Sequence, residues 1–282
     1  MGYIRTILRG IGQVMFQNNI YSGALFLGGI FYNSWLLGLA ALLGTIISTG
    51  AAQVLKYSKE DIENGLYGFN GTLTGIAVFL FFGVNAATVF ALIIGAMLST
   101  VIMNNLKKII PPFTAPFVLA TWLVIYSLLF AFNFTLLTSS APTESTLQFL
   151  AAFSNSFGQV MFQENVITGL FFIYAILVNN KLMAGYAIYA AVLGSLSGWL
   201  FSEPISTINA GLMGYNAILC AIALTGKSWR DFIWITLAII LSTMLNIGLA
   251  LTGIITLTAP FVLATWIILK FKNSETFKLK EA

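Results

Sequence analysis

Long apolar blocks separated by short polar breaks run the length of this chain, and the block lengths predict helices that cross a membrane. About 20 apolar residues span the hydrocarbon core, fewer where a helix is short or broken. On that measure crossings are expected at 19–33, 35–55, 66–83, 86–104 and 115–133, then at 166–179, 182–201, 209–226, 231–249 and 254–270. A mixed segment precedes each set, at 3–17 and 148–163, too short and too polar to cross alone. Between the sets lies a polar connector, 134–147, containing Pro142 and Glu144.

The two sets are copies of one unit. Gly12–Gln17 returns as Gly158–Gln163, with Gln13 and Gln159 146 positions apart, and Leu66-x-Gly68-x-Asn70 returns as Leu212-x-Gly214-x-Asn216 at the same spacing. Thr114–Trp122 returns unchanged as Thr258–Trp266, 144 positions on. In both copies a proline two residues after the threonine heads an apolar run, where its missing N–H costs nothing at a helix start. The Thr114 and Thr258 hydroxyls therefore sit at helix N-termini. The repeats divide the chain at 1–140 and 141–282, two halves of one membrane domain with a site expected at their interface.

Charge sets the orientation, because Lys and Arg stay cytoplasmic. With Arg5 and Arg9 inside, threading the crossings leaves all 13 basic residues inside, the connector and Glu203 outside, and both termini cytoplasmic. Each half then crosses five times. An odd number inserts the two copies upside down, an inverted-topology repeat whose shared site lies near the midplane.

Composition agrees with a polytopic all-α membrane protein: 59% hydrophobic, 8% charged, mean hydropathy +0.92, against about 25% charged in a soluble domain. The net charge of +4 is accounted for by the cytoplasmic loops and does not call for a nucleic-acid partner. Cys220 is the single cysteine and there is no histidine. A disulfide framework, a Cys/His metal centre, a catalytic triad and a histidine proton relay each lose their usual groups, so neither an enzyme nor a cofactor is expected. No short apolar core with a cleavage site marks a signal peptide. The opening Met1–Thr6 matches the loose N-myristoylation pattern, which a chain with many crossings does not need.

The repeated blocks offer neutral polar groups, Gln13, Gln159, Thr114, Thr258, Asn70 and Asn216, among Phe16, Phe69, Phe162 and Tyr215. No acidic or basic residue lies inside a predicted crossing away from its ends. An uncompensated charge at midplane costs at least ~2.5 to 3.5 kcal/mol, so the permeant is expected to be neutral and polar. Paired amide and hydroxyl oxygens suit a small flat molecule rich in N–H groups, each of which costs roughly 1 to 3 kcal/mol if dehydrated and left unpaired. Small polar residues also serve plain helix packing in membranes. Their duplication is what argues for function.

At these blocks the chain resembles the urea transporter family, in its bacterial type. The resemblance rests on Pro112-Phe113-Thr114-Ala115-Pro116-Phe117, on Ile11–Asn19 and on Gly68-Phe69-Asn70, and it covers nearly the whole chain. It implies two inverted halves, each of five spanning helices plus a half-membrane helix (here 3–17 and 148–163), forming a homotrimer with one pore per subunit in a plasma membrane, for a bacterium the inner one. It implies passive, channel-like transport of urea through a slot walled by Phe16, Phe69 and Leu73 in the first half and Tyr215 and Leu219 in the second. Phe162 follows from Phe16 by the repeat. Gln13, Gln159, Thr114 and Thr258 are implied as the side-chain oxygens along one edge. Two positions depart from the family pattern: Ile255-Thr256-Leu257-Thr258 lacks the proline before the threonine, and Tyr215 stands where Phe is commoner. The competing reading is a secondary active transporter of another small neutral solute, which would require a coupling-ion site.

Overall fold

A computed structural model describes residues 2–137 and 146–281, with side chains as far as residue 272. Pro142 and Glu144 of the connector lie outside the described residues. Fourteen α-helices occur among those described, seven per half. The first half has α1 (Tyr3–Gln13), α2 (Ile20–Asn33), α3 (Trp35–Val54), α4 (Lys59–Glu63), α5 (Gly68–Phe82), α6 (Ala86–Leu106) and α7 (Ala115–Tyr126). The second repeats the order as α8 (Phe149–Gly158), α9 (Val166–Asn179), α10 (Lys181–Leu200), α11 (Ile205–Asn209), α12 (Tyr215–Ala223), α13 (Trp229–Leu251) and α14 (Ala259–Glu281).

Local sequence explains most boundaries. Asn19 and Asn165 cap α2 and α9 through their side-chain oxygens, and Ser34 and Asn180 do the same for α3 and α10. Helices α6 and α13 open with capping boxes, Asn85 with Thr88 and Ser228 with Asp231. Among the described residues four helices, α3, α6, α10 and α13, are long and apolar enough to cross a membrane individually. The mixed 148–163 segment is α8 plus a tight turn, and it meets α9 at 71° as a bent pair. Beyond the last turn of α6, Lys107 pairs with Asp61 and donates to the Tyr67 hydroxyl at 2.9 Å. Burial works to lower the pKa of that ammonium, but the bonds to Asp61 and Tyr67 outweigh it and the net shift is upward.

Two expected crossings are shorter than the apolar runs that suggested them. The run 209–226 holds only the nine-residue α12, because Gly211 turns the chain with φ +79 where an added Cβ would sit 2.3 Å from the Asn155 carbonyl carbon. The run 254–270 becomes helical only at Ala259, after an irregular approach that turns through Leu257 with a left-handed φ of 46.

The halves are joined by bonds that occur in mated pairs. Ser22 donates to the Ala175 carbonyl at 2.7 Å and Thr168 to the Gly29 carbonyl at 2.9 Å, locking α2 to α9. Asn179 donates to Gln17 Oε1 at 2.8 Å and Asn33 to Gln163 Oε1 at 3.0 Å. Backbone specials pair as well: positive φ occurs at Phe16 and Phe162, Lys56 and Ser202, Phe113 and Leu257, Gly65 and Gly211. A two-fold pseudosymmetry follows from these pairs, since a contact of residue i with j is accompanied by its mate.

Candidate functional site

The nine-residue repeat lies where α7 and α14 begin. Thr114 and Thr258 meet there, their Oγ1 atoms 2.7 Å apart and both residues almost fully buried, at 1% and 2% exposure. A hydroxyl offers one donor and two acceptor lone pairs. Their mutual bond uses one donor and one lone pair, so the couple retains one O–H and three lone pairs for a visitor.

Three other positions of the motif have duplicated contacts. Phe117 N–H donates to Asn70 Oδ1 at 3.0 Å and Phe261 N–H to Asn216 Oδ1 at 3.2 Å, so these asparagines cap the first turns of α7 and α14. Their amide oxygens act as caps while the buried amide nitrogens have no hydrogen-bond partner among the described residues, a division the sequence did not show. Trp122 Nε1 reaches across to the Ile255 carbonyl at 2.7 Å, and Trp266 Nε1 to the Pro111 carbonyl at 2.8 Å. Thr121 bonds to Thr74 at 3.1 Å, and Thr265 to Cys220 Sγ at 3.6 Å. A Cβ added at Gly95 would lie 2.7 Å from the Thr74 methyl carbon, which shows how tightly this layer is packed.

Aromatic contacts also cross between the halves. Phe16 packs edge-to-face on Phe113 and on Phe261, both at 6.1 Å, while Phe162 packs on Phe117 and Phe81, both at 6.2 Å. Each sits at the tip of a hairpin with a left-handed backbone, φ 60 and φ 61. A bulky side chain in that conformation costs of order 1 to 3 kcal/mol and persists only where its surroundings hold it. On the connector side, Gln159, Phe162 and Tyr215 line one cavity of about 550 Å³ with Phe81, Thr256 and Glu164. Glu164, which follows Gln163 in the chain, is the acidic residue in that lining.

The remaining expected site residues fall as follows. Gln13 Nε2 donates to the Asn64 carbonyl at 3.0 Å. Phe69 is buried, and Leu73 and Leu219 are fully buried in the central core. Tyr215 is buried with its hydroxyl 2.6 Å from the Leu257 carbonyl, 3.2 Å from Thr256 Oγ1 and 3.4 Å from Asn246 Oδ1.

A sequence profile of the family described as UT, urea transporter, matches residues 4–273. The chain belongs to the urea transporter family. Urea transporter 1 of Capra hircus is 30% identical over 98% of this chain and 79% of its own length. Urea transporter 1 of Ovis aries is 29% identical over the same shares, and that of Rattus norvegicus 33% identical over 78% of this chain and 62% of its own. The nine-residue repeat is thus both the most conspicuous sequence feature and one of the places where the halves touch. Sequence reading missed Trp122, Trp266 and the Gln17–Asn179 and Gln163–Asn33 braces as contacts between halves. The clue was available: each of these residues has its equivalent in the other half.

Proposed function

We propose that this protein carries urea passively across a membrane, down its gradient, along the interface of residues 1–140 and 141–282. The reading is carried by the Thr114–Thr258 hydroxyl couple, buried at the meeting point of two helix starts in a urea transporter family chain. Urea passing such a point sheds its water, and the couple offers the acceptors and the one donor that its N–H groups and carbonyl need. The first turns of α7 and α14 direct their N-terminal dipole ends toward this point, which opposes cations. Gln13, Phe16, Phe69 and Leu73 form the cytoplasmic approach in this scheme, and Gln159, Phe162, Tyr215 and Leu219 the external one.

The protein is an integral membrane transporter and not an enzyme in this reading, and urea and the lipid bilayer are its partners. The family resemblance supports a homotrimer with one pore per subunit, and the distribution of Lys and Arg supports cytoplasmic termini. A bacterial inner membrane is the setting the bacterial-type motifs suggest. The test is flux into proteoliposomes under a urea gradient, a glycerol gradient and an ion gradient. Rapid urea flux without glycerol or ion flux is expected, and equal rates for urea and glycerol would overturn the proposal. Light scattering coupled to size exclusion reads the trimer independently.

A further inference from the structure

The two threonines of the couple are held by different means. In the first half the approach to Thr114 is Pro111-Pro112-Phe113, and in the second it is Ile255-Thr256-Leu257. The backbone is nevertheless the same: φ is 46 at both Phe113 and Leu257, and Ala115 N–H and Ala259 N–H each donate back to the residue three before, Pro112 and Thr256, at 3.0 Å. Each segment also receives a tryptophan N–H from the opposite half. Proline at 112 restricts its own φ and biases Pro111 toward extended backbone, so the first segment is largely prearranged. Nothing in the covalent structure of Ile255-Thr256 does this.

The compensating feature is at the position where the repeats differ in the opposite sense. Phe69 in the first half has no hydrogen-bonding group, whereas its equivalent Tyr215 donates its hydroxyl to the Leu257 carbonyl at 2.6 Å, and the Tyr215 hydroxyl oxygen lies 3.2 Å from Thr256 Oγ1. The carbonyl it holds belongs to the residue immediately before Thr258. We infer that Tyr215 is a positioning residue whose hydroxyl replaces the missing prolines, fixing the 255–257 segment so that Thr258 meets Thr114. Tyr126 assists, accepting from the Ile255 N–H, a group that Pro111 lacks, at 3.3 Å. The inference builds on the urea reading for its flux assay and stands apart from it in its backbone assay.

Both assays use full-length protein. Tyr215→Phe keeps the ring and removes the hydroxyl; urea flux should fall about three- to tenfold, and amide hydrogen exchange in residues 252–260 should speed up. Thr256→Pro added to Tyr215→Phe copies the first half, and should restore both the flux and the slow exchange. A reciprocal pair checks the logic: Pro112→Thr should loosen 110–114, and Phe69→Tyr on that background should tighten it. Unchanged exchange in Tyr215→Phe would overturn the inference, as would lost flux that proline at 256 does not rescue, since the hydroxyl would then be acting on the permeant itself. If the wild type carries no urea while exchange behaves as stated, the transport reading fails and the positioning role stands.

Discussion

Replacing Thr114 by Val removes an acceptor and also strips Thr258 of its 2.7 Å partner, so a single change disturbs both members of the couple. If the lost interaction raises the barrier by roughly 1 to 2 kcal/mol, urea flux through Thr114→Val or Thr258→Val should fall about five- to thirtyfold at 25 °C. The double variant should be far less than additive, because the second change removes a group already unpaired. Wild-type flux in a well-folded double variant would reduce these hydroxyls to packing groups. Phe16→Ala should act differently: its ring touches Phe113 and Phe261, so its loss should widen the slot and raise the ratio of methylurea to urea flux. An unchanged ratio would remove Phe16 from the filter. The threonine couple was legible because nine identical residues fixed both positions. The left-handed backbone at Phe16 and Phe162 was not, since side-chain sterics argue against it and only the surrounding hairpin imposes it. Asn70 and Asn216 were only partly legible for a related reason: a repeated amide next to a Phe looks the same in sequence whether it faces a permeant or an N–H two helices along the chain.

The elements meet through backbone approaches that single residues permit. Gly12 and Gly158 sit where α1 and α8 end and the chain doubles back, and an added Cβ would lie 2.3 Å from the Gln17 carbonyl oxygen and 2.1 Å from that of Gln163. Those are the residues whose amides bind Asn179 and Asn33, so Gly12→Ala would strain a hairpin and a brace between halves together. A cost of at least ~2 kcal/mol is expected for such a lesion, lowering the apparent melting temperature by about 4 to 8 °C. A variant melting within a degree of the wild type would show that the hairpin can relax around the methyl group. Element order was readable because apolar length and the Asn, Ser and Pro start signals agree with each other. The start of α12 was not, because the run 209–226 stays apolar through a turn that Gly211 forms by tertiary contact with Asn155 and Ser156.

At the scale of the whole molecule, two halves linked by mated bonds and sharing one buried couple suit a path with no ion to couple. Urea flux should follow only the urea gradient and stay flat between about pH 5 and 8, the range in which a histidine would titrate, since the chain has none. Uphill accumulation driven by a proton or sodium gradient would favour the active-transport reading instead. The inverted insertion can be tested with one structural feature that occurs twice. Lys56 and Ser202 occupy equivalent exposed turns after α3 and α10, with φ 55 and φ 61, and in each the next residue's N–H closes on a carbonyl five back, Ala52 and Gly198. An ordinary duplication would put both turns on one side of the membrane, whereas five crossings per half put them on opposite sides. With buried Cys220 replaced by Ala, Ser202→Cys should react with an impermeant thiol reagent added to intact cells, and Lys56→Cys should react only once the membrane is opened. Because the two turns share one local geometry, a difference in labelling reports sidedness and not exposure, and labelling of both cysteines from the same side would refute the inverted arrangement.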